Sequence, residues 1–141
     1  MIVHDFSNEK SVLNQFILEM RDVSIQKDSM RFRKNIERIG EILSYEMSKT
    51  LQNKTLILTD PMLATGRTLE NVLKAFKTHG TPKQIHILSI IGAKPGIEYI
   101  QDIFPKNTHL WIAAVDEKLN SRGYILPGLG DAGDLAFGVK L

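Results

Sequence analysis

Two stretches of this chain combine residue types and spacings that could do chemistry. The first runs from Lys54 to Leu73. A short run of branched and apolar residues, Thr55-Leu56-Ile57-Leu58-Thr59, ends on an acid, Asp60. Pro61-Met62-Leu63 leads into a small-residue turn, Ala64-Thr65-Gly66-Arg67-Thr68. Apolar residues then return at helical spacing: Leu69, Val72, Leu73 and Phe76. This change of period predicts a buried parallel strand, a loop and a helix. A helix start leaves backbone N–H groups without partners and carries the positive end of the dipole. A phosphate dianion satisfies both. Thr65 and Thr68 could add hydroxyl hydrogen bonds. Asp60 would repel phosphate; it suits neutral hydroxyls, or a hydroxyl-bound metal reached through water. An acid followed by a phosphate loop points to a sugar phosphate. The stretch holds no Gly-Lys-Ser/Thr and no triple-glycine fingerprint, so it is neither a Walker loop nor a dinucleotide site. An ordinary strand–turn–helix with an Asp in its turn is the plain alternative.

The second stretch is Tyr124 to Asp134, YILPGLGDAGD, with Gly128, Gly130 and Gly133 beside Asp131 and Asp134. Glycine lets backbone approach a flat ligand closely. A pyrimidine offers alternating C=O and N–H edges that backbone groups can pair with. A plain wide turn is the alternative here. Tyr124 is equally consistent with core, stacking or ligand contact.

Together these stretches carry a family resemblance. Asp60-Pro61-Met62-Leu63-Ala64-Thr65-Gly66 resembles the phosphoribosyl pyrophosphate loop of uracil phosphoribosyltransferases, and Tyr124–Asp134 resembles their uracil-binding segment. The resemblance also takes in the N-terminal helices. It implies transfer of a phosphoribosyl group to uracil, giving UMP and pyrophosphate in pyrimidine salvage, with Mg2+ neutralising the leaving group. By the same resemblance Asp60, Pro61, Met62, Leu63, Ala64, Thr65, Gly66, Arg67 and Thr68 would hold the ribose phosphate. Ile125, Gly130, Asp131 and Ala132 would hold uracil, and Asp131 would also stand near the pyrophosphate and its metal. No covalent nucleophile is implied; positioning and electrostatics would carry the reaction. A homodimer or higher homo-oligomer is implied as well.

The chain departs from the family pattern twice. Arg67-Thr68 stands where the family has Gly-Ser, so an arginine at positive φ would be strained. A whole block is also absent between Leu51 and Lys54. In the family that block holds strands, a hairpin over the site and arginine loops that grip pyrophosphate. Its absence leaves a second reading open: a non-catalytic relative that binds UMP or ribose phosphate as a sensor or scaffold. It also predicts an open apolar edge on the first core strand, covered by the N-terminal helices or by another subunit.

The remaining features set bounds. The chain has 141 residues, a net charge of +2 and no cysteine. Length fits one domain. The charge gives no argument for nucleic acid or a membrane, and thiol chemistry is unavailable. No apolar run reaches membrane length, and residues 1–10 lack a secretory pattern, so a cytoplasmic setting is expected. His4, His79, His86 and His109 lack metal-ligand spacing, and no protein-built metal site is expected. Trp111 reads as core.

The elements that must position these residues follow from periodicity. Residues 1–10 read as an extended lead-in, Ser11–Met20 as a helix, 21–30 as a turn or short helix, and Arg31–Leu51 as a long helix. The basic residues at its start (Arg31, Arg33, Lys34, Arg38) read as a solvated face with internal ion pairs. Beyond the first strand come a helix over 68–79, a strand over Gln84–Ala93, a helix begun by Pro95, and a strand over Thr108–Val115. That alternation predicts an α/β fold: a shortened, parallel-sheet phosphoribosyltransferase-like core over 54–141, with an N-terminal helical part over 1–53. Ligands in such sheets sit beyond the carboxyl ends of the strands. Lys94 and the pair Asp116-Glu117 fall at the same end. Lys94 reads as a solvated lysine, and neighbouring strand positions diverge, which weakens an acid pair.

Overall fold

A computed structural model describes residues 1–138. A mainly parallel sheet lies between two helical layers. Its strands are β1 (Ile2–Asp5), β2 (Thr55–Thr59), β3 (Met62–Leu63), β4 (Gln84–Ala93) and β5 (Thr108–Asp116). Their order is β1-β5-β4-β2, all pairings parallel, with β3 also on β4. β2 and β3 keep one register against β4, Thr59 opposite Leu88 and Met62 opposite Ile91. They are one strand interrupted at Pro61, which has no N–H to give the ladder.

Helices α1 (Val12–Arg21) and α2 (Ser29–Ser48) cover one face. Leu13, Ile17, Phe32, Ile39 and Leu43 are buried there against Leu88, Ile90 and Trp111. Helices α3 (Arg67–Phe76) and α4 (Lys94–Ile103) cover the other, where Leu69, Ile97 and Ile100 meet Ile85, Ile87 and Leu110. A hairpin, β6 (Lys118–Leu119) with β7 (Ile125–Leu126), follows β5, and a short helix α5 (Ala132–Phe137) ends the described chain.

The α/β alternation stands as expected, with four differences. The lead-in contains β1, a sheet strand, so the N-terminal part is not purely helical. Its four residues are too short for alternation to register. Helix α2 starts at Ser29 because the Asp28 carboxylate accepts from Arg31 N–H at 3.1 Å and caps it. It stops at Ser48, short of Leu51. Helix α3 gives way at Phe76 to a 3₁₀ turn over Lys77–His79.

Neither helix covers the free edge of β2. Helix α2 lies over β4 and β5, no described strand pairs beyond β2, and Ile57 is 44% exposed.

At the amino end of the sheet, three histidines form a ladder with Trp111. The His4 ring stacks on Trp111 at 3.8 Å and the His86 ring on His109 at 4.8 Å. Trp111 Nε1 donates to His86 Nδ1 at 3.0 Å, which leaves the His86 proton on Nε2. Burial first, and then the neighbouring histidines, holds His86 at about 4. Burial also lowers His4 and His109.

Candidate active site

The loop over residues 64–68 is set by close backbone approach. Gly66 has φ +77°, and a Cβ there would stand 2.6 Å from Ile100 Cγ2. Gly96, in the first turn of α4, presses on the same loop: a Cβ there would lie 2.0 Å from the Ala64 carbonyl oxygen. Only glycine fits at either position, so α4 acts as a template for residues 64–66.

That template leaves amides free. Arg67 N–H reaches Thr65 Oγ1 at 3.5 Å and Glu70 N–H donates to the Gly66 carbonyl at 3.1 Å. Among the described residues the amides of Thr65, Gly66, Thr68 and Leu69 have no partner. They gather at the positive end of the α3 dipole. Arg67 is the first residue of α3, and the positive φ falls on Gly66 instead. The expected strain at Arg67 is therefore absent. Its side chain is exposed and makes no ion pair within 4.0 Å among the described residues.

Asp60 closes the carboxyl end of β2. One carboxylate oxygen accepts from Met62 N–H at 3.2 Å, and Asp60 N–H donates to the Leu88 carbonyl. Burial pushes its pKa above the ordinary carboxylate value, and the Met62 contact offsets part of that. Pro61 is exposed and its carbonyl accepts from Ile90 and Ile91 N–H at 3.2 Å each. Leu63 is fully buried and Met62 packs on the core, so these two position the loop from below.

The tail is held differently. Asp116 Oδ2 accepts from Gly128 N–H at 2.8 Å, and Asp116 Oδ1 accepts from Arg21 Nη2 at 2.8 Å. Gln26, with its amide turned so that the NH2 faces two carbonyls, donates to Met20 and Leu129 at 2.9 Å each. Arg33 donates to the Ala136 carbonyl. Ile125 is buried, and a Cβ on Gly128 (φ +64°) would meet the Ile125 carbonyl oxygen at 2.1 Å. Gly130 has φ +86°, and Asp131 caps α5 by accepting from Asp134 N–H at 3.0 Å. Ala132 opens α5 and packs on the core. Tyr124 is 42% exposed, beside a turn closed by Asn120.

Both stretches follow the carboxyl ends of sheet strands, the loop after β3 and the tail after β5 and its hairpin. Met62 and Ala64 pack against the same buried cluster as Ala132 and Leu135. Asp116 and Glu117 diverge: Asp116 is buried on Arg21, whereas Glu117 is exposed and pairs with Lys94 at 2.6 Å. The basic face of α2 is committed to protein contacts. Arg31 makes two bonds to Glu19, Lys34 pairs with Glu37, and Arg38 lies over the Phe16 ring at 5.2 Å. Sequence reasoning missed Arg21, Gln26 and Arg33 as tail anchors, because side chains scattered along α1 and α2 carry no local signature of a distant loop. Among the described residues no three His, Cys, Asp or Glu side chains come together to hold a metal ion.

Known proteins resemble this chain in sequence and in fold. The family model described as uracil phosphoribosyltransferase matches residues 46–139. A uracil phosphoribosyltransferase of Porphyromonas gingivalis is 36% identical over 208 positions, covering 94% of this chain and 96% of the relative. A 208-position alignment against a 141-residue chain leaves at least 67 positions with no residue of this chain opposite them. A relative of the same name from Thermococcus gammatolerans is 52% identical over 87 residues, 62% of this chain and 38% of that protein. The solved structure titled "Structure of AQ2163 protein from Aquifex aeolicus" superposes with TM-score 0.81 at 21% identity, over 98% of this chain and 100% of that one.

Proposed function

Since the chain belongs to the uracil phosphoribosyltransferase family, we propose that it joins uracil to the phosphoribosyl group of phosphoribosyl pyrophosphate at the carboxyl end of its sheet. The observation that carries this reading is the cluster of partnerless amides at Thr65, Gly66, Thr68 and Leu69, beside a glycine-rich tail. In this reading those amides and the hydroxyls of Thr65 and Thr68 hold the 5-phosphate. The exposed Arg67 adds a positive charge. Asp60 accepts from the ribose hydroxyls with the oxygen that Met62 leaves open.

Uracil lies against the tail between Ile125 and the Gly130-Asp131-Ala132 backbone. A ring nitrogen of uracil forms the new bond to the anomeric carbon and gives up its proton to solvent. The bond from that carbon to pyrophosphate breaks, and the electron pair leaves with the pyrophosphate. Asp131 sits where positive charge develops on the ribose and stabilises it. Magnesium bound to the pyrophosphate would supply neutralisation of the leaving group's charge.

Turnover is slow in this reading. The described arginines are committed to protein contacts, Arg67 and Arg122 excepted, so few donors are left for pyrophosphate. Losing one well-placed donor costs about 10²–10³ in rate. The setting is cytoplasmic and the assembly a homo-oligomer.

The test is pyrophosphate release from uracil and phosphoribosyl pyrophosphate, comparing the wild-type chain with Asp131→Asn. Asparagine still caps α5, so the fold is kept. Uracil-dependent release that falls at least tenfold in the variant is the expected result. No release at any enzyme concentration, together with tight UMP binding, would favour a binding protein instead.

A further inference from the structure

The free edge of β2 is self-complementary. Thr55-Leu56-Ile57-Leu58-Thr59 reads the same in both directions about Ile57. Its backbone has the matching symmetry. Lys83 N–H donates to the Lys54 carbonyl, and Asp60 N–H donates to the Leu88 carbonyl. Even-numbered residues therefore point their backbone groups at β4. Backbone groups alternate along a strand, so Thr55, Ile57 and Thr59 turn their N–H and C=O outward. No described strand receives them.

We propose that this edge is the interface between two copies of the chain, joined antiparallel about a two-fold axis at Ile57. In that register Ile57 faces the partner's Ile57, and Thr55 faces the partner's Thr59. Each is a pair that exchanges both backbone hydrogen bonds, so all three outward residues are satisfied at once.

Charge supports the same register. One step beyond the palindrome, Lys54 stands opposite the partner's Asp60, and Asp60 opposite the partner's Lys54. Neither residue has an ion-pair partner within 4.0 Å among the described residues of its own chain. Lys54 is exposed and is the one described non-glycine residue with positive φ, at 63°.

Apolar surface flanks the edge on both faces. On the α2 side a groove of ≈ 270 Å³ runs between Gly40 and Ser44 of the helix and Thr59 and Leu88 of the sheet. On the α3 side Phe76 is 39% exposed next to Leu56. A second copy covers both, and it removes an edge that would otherwise invite uncontrolled pairing. The contact also sets the partner's Lys54 beside the acid at the mouth of the proposed sugar-phosphate site.

Sedimentation of the purified chain tests this. The expected mass is twice 15.9 kDa for wild type and 15.9 kDa for Ile57→Lys, with unchanged circular dichroism. Because Ile57 is half-exposed, lysine there should leave the monomer folded. An independent variant guards against misfolding. The chain has no cysteine, so Ile57→Cys introduces a single thiol. Paired residues of this kind lie about 5.5 Å apart between Cα atoms, and a short bismaleimide should join them into a covalent dimer. Leu18→Cys, exposed on α1, should stay uncrosslinked. A monomeric wild type, a dimer that survives Ile57→Lys, or equal cross-linking of the two cysteine variants would each overturn the proposal. Such a result would leave the proposed reaction untouched.

Discussion

The loop over 64–68 and the glycine-rich tail over 124–134 share one end of the sheet, yet different forces hold them. The loop is held mainly by shape: Gly66 and Gly96 let α4 touch its backbone. The tail is held by a polar hub: Asp116 joins Gly128 to Arg21, with Gln26 and Arg33 securing the rest. Steric seats fail when atoms are added. Polar hubs fail when charge is removed. The two halves of the proposed site can therefore be lost independently.

The largest effect should come from Gly96→Ala. The added Cβ would lie 2.0 Å from a backbone oxygen, and neither backbone can yield without moving a whole element. Overpacking of this kind costs about 3 kcal/mol. Thermal melting should show the loss, and ribose 5-phosphate binding should disappear in the protein that remains folded. A normal melt with normal binding would show that the loop is not seated by α4.

Next is Asp116→Ala, which strands a guanidinium 23% exposed and frees the Gly128 amide. Breaking such a pair costs about 2 kcal/mol at this degree of solvent access. UMP affinity should fall about tenfold, which is 1.4 kcal/mol, while ribose 5-phosphate affinity stays unchanged by calorimetry. Equal losses for both ligands would erase the distinction between loop and tail.

A third test comes from the opposite end of the sheet. His86 is neutral in the fold, held at about 4 against 6.5 for a free imidazole, and His4 and His109 are lowered with it. The unfolded chain takes up protons below pH 6.5 and the folded chain does not. Stability is therefore full above pH 6.5 and is lost as pH falls from 6.5 toward 4. Urea midpoints across that window should drop, and His86→Phe should flatten the slope without changing UMP affinity at pH 7.

The smallest effect is that of Arg67→Gly. Arg67 is unstrained at the head of α3, so glycine relieves nothing there. Ribose 5-phosphate should bind about threefold more weakly, and the difference should fade at high salt. Tighter binding would show that the side chain obstructs the loop.

These contrasts follow what the residues themselves could disclose. The strand, turn and helix of the loop were legible because the parts are consecutive: strand period, acid, small turn and helix period all fall between Thr55 and Phe76. The tail's composition was legible, but its anchors were not. Arg21 is 107 residues from Gly128, and no local pattern links them. β1 escaped notice for a related reason. Four residues cannot declare a strand unless the partner, here β5, is already known. The edge of β2 was inferred to be open from the absent block, and the backbone directions at Lys54 and Asp60 then showed which atoms it presents.

The account turns on one arrangement, and a crystal of the chain soaked with UMP examines it most directly. The phosphate should sit on the amides of Thr65 to Leu69, the ribose hydroxyls on Asp60, and the uracil ring against Ile125 and Gly130 to Ala132. A nucleotide bound elsewhere, or with its base turned away from the tail, would contradict it.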